Sequence, residues 1–242
     1  MKISFFAKKI GKAIPVKYCG AVIVAAGNAA RMGGIDKVMA PLGSEPVLLH
    51  SVRTFQACDT VQEIVVVTRR DLIDTVNELC VPFEKVKAVV AGGADRSSSV
   101  EAGLRALSKA VKLAAIHDGA RPLITRAVID RTVRAANTYS AAAPFVPVKD
   151  TVKVVHGGLV SATPDRSKLQ AVQTPQVFDK DLLCAALQYT RQHQLAVTDD
   201  CSAVEQLGMS VKVVEGDEKN LKVTTPMDLK IAQMLLEEMS CE

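Results

Sequence analysis

From Cys19 onward the chain alternates between short apolar runs of strand length and stretches whose apolar residues recur every three to four positions. The run 21–25 is typical of a buried strand, and a helical stripe with Leu48, Val52 and Phe55 follows it. Further strands are predicted near 64–67, 86–90, 115–118, 142–148 and 211–214, with helices between most of them. This order predicts an α/β fold, a Rossmann-like and mostly parallel sheet flanked by helices.

Several helix starts carry capping signals. Asp71 is expected to cap the second helix, and Ser98 with Glu101 matches a capping box for the third. Thr225 is expected at the N-cap of the last helix, with Pro226 in its first position. Asp199 and Asp200, after Thr198, are read as the start of a shorter helix.

The alternation breaks near residue 150. Two β-prone runs, 151–155 and 159–163, lie on either side of His156-Gly157-Gly158, which predicts a hairpin. We therefore expect an inserted β-arm at about 149–177.

The positive charge of the chain is concentrated at its start. The first 19 residues contain five lysines and no acid, and the remainder has 25 basic against 26 acidic side chains. The sequence predicts a basic extension over 1–18 and one domain over 19–242. Ile3, Phe6, Ile10 and Ile14 fall near one helical face, which leaves a weak membrane-surface role open, but no run is long enough to span a membrane. We expect no stable membrane association.

Composition argues against other classes. Aromatic residues make up 4% of the chain with no Trp, and the body has no excess of positive charge, so nucleic-acid binding is not expected. The six cysteines form no C-x-x-C pair, which favours reduced thiols and a cytoplasmic location. The four histidines show no zinc motif, and no G-x-S-x-G nucleophile motif is present.

Three loops follow predicted strands, where ligands of parallel α/β sheets bind. The loop 25–37 has small residues that let main-chain amides approach a phosphate and two cations, Arg31 and Lys37, but it matches neither a P-loop nor G-x-G-x-x-G. The second loop, 92–99, has two glycines and Arg96, and the third places Asp118 and Arg121 after a strand. A carboxylate there could hold Mg²⁺ and an arginine could bind a phosphate. Plain turns, solvated charges and a structural Asp–Arg pair remain open alternatives.

Taken together, these motifs resemble a known family. The segments 25–37, 117–122 (HDGARP), 147–151 (PVKDT), 174–176 (TPQ), 198–200 (TDD) and 220–224 (NLKVT) are similar, in order and spacing, to those of the 2-C-methyl-D-erythritol 4-phosphate cytidylyltransferases. The likeness runs from about Val22 to Leu229. It implies a fold of the nucleotide-diphospho-sugar transferase type and a homodimer formed through the arm.

The resemblance also implies a reaction. CTP binds with Mg²⁺, a methylerythritol phosphate oxygen attacks the α-phosphorus in line, and pyrophosphate leaves. No covalent enzyme intermediate is required, so catalysis rests on positioning and charge neutralisation.

Roles for individual residues follow from the same resemblance. The catalytic set is Arg31, Lys37 and Lys222. The nucleotide-binding set is Ala25, Ala26, Gly27, Gly93, Arg96, Ser99 and Asp118. The acceptor-binding set is Asp118, Arg121, Thr151, Arg166, Thr174, Thr198 and Lys222, with Thr151, Arg166 and Thr174 in a site shared between subunits. Asp118 is also the expected metal ligand.

Two other functions are consistent with these motifs. A cytidylyltransferase acting on ribitol 5-phosphate would share the nucleotide motifs, and a catalytically inactive nucleotide-binding protein would share the fold. The chain departs from the family pattern at four positions: Ala29 in place of glycine, Asp36 in place of proline, Ala94 in place of a frequent acid, and Lys219 where an acid is common.

Overall fold

The computed structural model describes residues 16–27 and 36–241, and it confirms the predicted alternation of strands and helices. In chain order the strands are β1 (Cys19–Val24), β2 (Pro41–Leu42), β3 (Glu45–Pro46), β4 (Glu63–Thr68), β5 (Val86–Ala91), β6 (Leu113–Asp118), β7 (Ala141–Pro147), β8 (Val154–His156), β9 (Leu159–Ala162), β10 (Gln170–Val172), β11 (Gln176–Asp179) and β12 (Lys212–Glu215). The helices are α1 (Val47–Gln56), α2 (Ile73–Cys80), α3 (Arg96–Ala106), α4 (Arg126–Tyr139), α5 (Lys180–Gln192), α6 (Asp200–Glu205) and α7 (Pro226–Cys241). Among these helices, none is both long enough and apolar enough to cross a membrane.

Eight strands form one mixed sheet in the order β10-β7-β11-β6-β1-β4-β5, with β12 also paired to β7. The neighbours β6, β1, β4 and β5 are parallel, whereas β10 and β11 run antiparallel to their partners. Because parallel strands end at the same edge, the loops after β1, β4, β5 and β6 meet there. The described parts of all three loops that the sequence singled out, which for the first loop are 25–27 and 36–37, follow strands that end at this edge.

The central strands of the sheet, β1, β4 and β6, are buried on both faces. In β1, Ala21 and Ile23 point to the side covered by α1, α2 and α4, and Val22 points to the side covered by α3, α5 and α6. The period of two in the strand and the apolar stripe on each helix produce these two cores. A third, smaller cluster under α7 contains Leu42 and Val223.

Two of the predicted helix starts are wrong. The N-cap of α3 is Asp95, whose carboxylate accepts the Ser98 N–H at 2.7 Å, while Ser98 Oγ accepts the Asp95 N–H at 3.0 Å. Ser98 is therefore the third residue of the helix in a capping box that begins with an aspartate. Asp71 does not cap α2, because it lies in a 3₁₀ turn and its carboxylate accepts the charged guanidinium of Arg69.

The other capping predictions are confirmed. Thr225 Oγ1 accepts the N–H of Asp228 at 3.2 Å, and the Asp228 carboxylate accepts the N–H of Thr225 at 2.8 Å. Asp199 is the N-cap of α6 and accepts the N–H of Ser202. Local pairs of residues three apart are thus sufficient to fix these two starts.

The predicted β-arm is also confirmed as a hairpin. Strands β8 and β9 pair antiparallel in a sheet of their own, and Gly157 and Gly158 occupy the turn with φ of 57° and 80°. A positive φ at both central residues is the backbone that tight hairpin turns require. Every residue of the two strands is exposed in this chain.

We expect the contact between α3 and the sheet to tolerate no added methyl group. A Cβ at Gly103 would lie 2.3 Å from Cγ1 of Val22 and 2.9 Å from Cγ2 of Val67. Gly103→Ala should lower the free energy of unfolding, measured in urea, by about 1–3 kcal/mol through overpacking. Adding Val22→Ala in the same chain should recover part of that loss, and additive losses would contradict the account.

Candidate active site

A cleft of about 450 Å³ opens at the edge of the sheet where β1, β5 and β6 end. Its lining includes all seven residues predicted to bind a nucleotide, together with two of the three predicted catalytic residues. These are Ala25, Ala26, Gly27, Gly93, Arg96, Ser99 and Asp118, with Lys37 and Lys222. Arg31, the remaining catalytic prediction, lies outside the described residues.

The floor of the cleft is formed by two loops packed in contact. The N–H of Ala25 donates to the carbonyl of Val67 at 2.7 Å, and that of Gly92 donates to Thr68 at 2.8 Å. A Cβ at Gly92 would lie 2.4 Å from the Cβ of Ala26, so only glycine fits there. A Cβ at Gly27 would lie 3.7 Å from Nζ of Lys37, which places this ammonium group over the small-residue loop.

Positively and negatively charged side chains alternate along one side of the cleft. Oδ2 of Asp118 lies 2.6 Å from Nζ of Lys222, and its Oδ1 lies 3.7 Å from Nη2 of Arg96. The same Nη2 donates to Oδ2 of Asp200 at 2.7 Å, and Asp200 is 1% exposed. Arg96 and Lys222 are thereby held on either side of one carboxylate.

The charges on Asp118 and Arg96 are stabilised by their neighbours, whereas burial raises the pKa of Asp200. Burial by itself would raise the pKa of Asp118, but Lys222 and Arg96 outweigh it and lower the pKa to about 2. Burial would lower the pKa of Arg96, and the carboxylates of Asp200 and Asp118 outweigh it and raise this pKa. Asp118 and Arg96 are therefore both charged at neutral pH, and Arg96 is a fixed cation at the edge of the cleft.

Buried polar contacts behind the cleft position Asp118 and Lys222. The N–H of Asp118 donates to Oγ1 of Thr174 at 3.0 Å, and Nδ2 of Asn220 donates to the carbonyl of Thr174, also at 3.0 Å. The N–H of Val223 donates to the carbonyl of Ala120 at 2.8 Å. The segment carrying Lys222 is thus tied to the end of β6.

His117 lies in this buried layer and does not reach the cleft. Its Nδ1 is 3.1 Å from Oγ1 of Thr174 and its Nε2 is 3.3 Å from the carbonyl of Arg121. Burial lowers its pKa to about 4. A neutral imidazole that bridges these two groups is a structural element of the site.

The predicted acceptor-binding residues are not gathered in the cleft of one chain. Thr174 is 4% exposed, and Arg121 is largely buried with its Nη1 donating to the carbonyl of Asn220 at 2.7 Å. Thr151 and Thr198 are exposed outside the cleft, and Arg166 Nη1 donates to the carbonyl of Lys149 at 2.7 Å. Of this set, only Asp118 and Lys222 line the cleft.

Asp200 and Gln176 are site residues to which sequence reasoning gave no role at the cleft. The side-chain oxygen of Gln176 accepts the N–H groups of Asp200 and Cys201, both at 3.1 Å, and its amide donates to Asp199 at 2.7 Å. These contacts fix Asp200 beneath Arg96. The segment 198–200 had counted toward the family resemblance and the two acids toward a helix start, but neither indicated the pairing of Asp200 with Arg96, which spans 104 positions.

A mostly parallel sheet with cations facing a loop of small residues at its carboxyl edge is suited to bind a phosphorylated ligand, as in the α/β nucleotidyltransferase fold. The comparisons with known proteins identify the family within this class. The sequence model of the family described as IspD, 2-C-methyl-D-erythritol 4-phosphate cytidylyltransferase, matches residues 19–238, and the chain belongs to this family. It is therefore an enzyme of the cytidylyltransferase type.

Individual relatives agree over nearly their whole length. A 2-C-methyl-D-erythritol 4-phosphate cytidylyltransferase from Caldanaerobacter subterraneus subsp. tengcongensis is 42% identical over 221 residues, which cover 89% of this chain and 97% of the relative. A relative of the same name from Symbiobacterium thermophilum is 44% identical over 230 residues, covering 94% and 95%. The crystal structure of 4-diphosphocytidyl-2C-methyl-D-erythritol synthase from Anaerococcus prevotii matches with a TM-score of 0.83 at 31% identity, covering 91% of this chain and 96% of that one.

The low pKa of Asp118 predicts a specific acid sensitivity. Because its folded pKa of about 2 lies below the ordinary value of 3.8, Asp118 stabilises the fold above pH 4 and this contribution is lost as the pH falls toward 2. The full shift corresponds to about 2 kcal/mol. Urea unfolding between pH 7 and pH 3 should show a smaller pH dependence for Asp118→Asn than for the parent protein. The exposed Asp59→Asn is the control, and an equal change in both variants would contradict the assignment.

Proposed function

We propose that this protein transfers the cytidylyl group of CTP to 2-C-methyl-D-erythritol 4-phosphate. An oxygen of the acceptor phosphate forms a bond to the α-phosphorus of CTP, the bond to the β-phosphate oxygen breaks, and pyrophosphate leaves with the electron pair. The product is 4-diphosphocytidyl-2-C-methyl-D-erythritol. The observation that carries the proposal is the position of Lys37 and Lys222 at the cleft beside the loop 25–27, in a chain that matches the family along 19–238.

The residues of the cleft supply charge and position. Negative charge grows on the α-phosphate oxygens as the new bond forms, and the ammonium groups of Lys37 and Lys222 are fixed cations that stabilise it. The main-chain amides of Ala26 and Gly27 hold phosphate oxygens. Arg31, which follows them in the sequence, is assigned by the family resemblance as a third cation beside Lys37 and Lys222. No protein group has to form a covalent bond, because orientation and charge neutralisation account for catalysis of this type.

Base selection belongs to the loop 93–99. The N–H of Gly93 donates to Oγ of Ser99 at 3.1 Å, and that hydroxyl donates to the carbonyl of Asp95 at 2.8 Å. These bonds give the loop one shape, and Asp200 holds Arg96 beside it. A preorganised loop of main-chain groups and one guanidinium is suited to reading the polar edge of cytosine.

A divalent cation fits the cleft when it arrives with the nucleotide. Within the described ranges, no group of three or more His, Cys, Asp or Glu side chains is arranged to hold a metal ion. The cleft is lined by the carboxylates of Asp95, which caps α3, and of Asp118, which lies between Lys222 and Arg96. The family resemblance assigns the metal to Asp118, whose carboxylate would then be shared with these two cations. Mg²⁺ commonly binds one or two carboxylates together with substrate phosphates, and it would neutralise part of the triphosphate charge.

Acceptor binding, in this proposal, is completed by a second copy of the chain. The arm exposes Val155, Leu159 and Val160, whose exposed fractions are 59%, 75% and 61%. An isolated two-stranded hairpin is at best marginally stable, so this apolar surface favours packing against a partner. A homodimer formed through the arm would bring Thr151 and Arg166 of one protomer to the cleft of its partner.

Pyrophosphate release tests the reaction directly. The purified protein, with CTP and Mg²⁺, should release pyrophosphate with methylerythritol phosphate and far less with ribitol 5-phosphate. Lys37→Ala should lower kcat by roughly 100 to 1000-fold, because it removes a cation from the transferring phosphate. Lys109→Ala, an exposed lysine between α3 and β6, should match the parent.

Two other results of the pyrophosphate assay would each overturn a different part of the proposal. Turnover only with ribitol 5-phosphate would retain the mechanism and overturn the acceptor. Saturable CTP binding without release from either acceptor would indicate an inactive nucleotide-binding protein.

The arm is tested by one charged substitution. Val155 and Val160 are cross-strand partners on one face of the hairpin, so Val160→Asp places a charge in the proposed interface. Burying that charge should weaken the dimer at least about tenfold in sedimentation velocity experiments and reduce turnover in parallel. Val81→Asp, at a position that is 80% exposed outside the arm, is the control. A parent protein that is monomeric at assay concentration and fully active would contradict the shared site.

A further inference from the structure

Lys37 is carried by a short segment whose backbone is anchored on both sides. After it, Val38 is 1% exposed and belongs to the core under α1. The carbonyls of Val38 and Ala40 accept the N–H groups of Leu48 and Val47, each at 3.0 Å. The start of α1 therefore fixes the chain on the C-terminal side of Lys37.

The anchor before Lys37 is Asp36. Its Oδ1 accepts the N–H of Val38 at 3.1 Å and its carbonyl accepts the N–H of Met39 at 3.1 Å, which closes a tight turn around Lys37. Its Oδ2 forms an ion pair and hydrogen bond with Nη1 of Arg69. Both side chains are mostly buried, with exposed fractions of 18% for Asp36 and 24% for Arg69.

Arg69 connects this turn to the sheet. It directly follows β4, whose last residue Thr68 is fully buried and paired with Ala91 of β5. Its guanidinium is shared, since Nη2 and Nε also donate to the carboxylate of Asp71 at 3.1 and 3.2 Å. Asp36 is adjacent to Lys37, whereas Asp71 is an exposed acid on the far side of the same guanidinium.

We propose that Arg69 is a positioning residue for Lys37, acting through Asp36. The ion pair fixes the turn to the end of β4, so that the Lys37 ammonium group lies over the loop 25–27 before a nucleotide binds. Neither Arg69 nor Asp36 lines the cleft, so their contribution passes through the backbone of Lys37. This inference rests on the proposed function for the identity of the nucleotide, CTP.

The test compares variants of the shared guanidinium. Arg69→Gln removes the ion pairs with both Asp36 and Asp71. Asp36→Asn removes only the ion pair between Asp36 and Arg69, and the asparagine oxygen can still accept the Val38 N–H. Asp71→Asn removes only the ion pair between Asp71 and Arg69. The dissociation constant of CTP with Mg²⁺, measured by calorimetry, and kcat/KM for CTP should worsen about three- to tenfold in Arg69→Gln and Asp36→Asn. Asp71→Asn should match the parent, and KM for the acceptor should change less than twofold in all three.

A Lys37→Ala background separates positioning from a general structural role. If Arg69 acts through Lys37, adding Arg69→Gln to Lys37→Ala should cause no further loss of CTP affinity. A further loss as large as that in the parent background would overturn the proposal, as would an equal effect of Asp71→Asn. Thermal unfolding midpoints report whether a variant has lost its fold, and Arg69→Lys, which keeps the charge, should recover part of the affinity.

The test of Arg69 measures CTP affinity, so its result does not depend on which acceptor the enzyme uses. If the parent binds CTP but releases pyrophosphate with neither acceptor, the proposed reaction fails, and the CTP affinities still decide the role of Arg69. If the parent binds no CTP, both the function and this inference are overturned.

Discussion

The carboxylate of Asp118 lies between the ammonium group of Lys222 and the guanidinium of Arg96, and the geometry of the cleft depends on this arrangement. Without a negative charge between them, the two cations would repel each other in a partly desolvated site. The three residues come from the end of β6, the first turn of α3 and the segment before α7. One buried acid thus holds together parts of the chain that are far apart in sequence, and it leaves the cleft with cations facing outward.

The cost of burying these charges is offset by a layer of polar contacts beneath them. Asp200 supplies Arg96 with a second carboxylate, and Gln176 in turn holds the backbone of Asp200. On the other side, Thr174 and Asn220 tie the end of β6 to the segment that carries Lys222. These contacts fix the positions of the charged groups, which is what a site that acts by preorganised charge requires. The layer is not fully satisfied, because Oδ1 of Asp200 and Oδ1 of Asn220 are buried without a hydrogen-bond partner in the described part of the chain.

The sequence predicts the parts of this architecture that depend on local pattern. The parallel strands β1, β4 and β6 were found because buried strands read as continuous apolar runs, and the partly buried β5 was found from its valines. The antiparallel pairings of β10 and β11 were not, since strand order depends on contacts between distant segments. The cap of α3 was placed at Ser98 in place of Asp95 because both residues are good caps, and the local pattern does not decide between them.

The site was less predictable from the sequence than the order of strands and helices. Loop positions after strands pointed to the right edge of the sheet, while the roles of Lys37, Arg96 and Lys222 came from the family resemblance. The resemblance also gave Asp118 a role, but not its pairing with Arg96 and Lys222. It gave Asp200 and Asp36 no role. Asp200 meets Arg96 across 104 positions and Asp36 meets Arg69 across 33, so only the folded chain shows which charges are paired.

The residues assigned to the nucleotide and those assigned to the acceptor lie in different parts of the structure. Those assigned to the nucleotide converge on the carboxyl edge of the sheet, where main-chain hydrogen bonds and ion pairs hold them. Several assigned to the acceptor lie outside the cleft, and Thr151 and Arg166 lie in the region of an arm with little packing of its own. The sheet edge suits the triphosphate, because the charge that must be stabilised lies there. In the proposed dimer an arm from a partner would define the acceptor pocket, so that acceptor selection would depend on assembly while nucleotide binding would not.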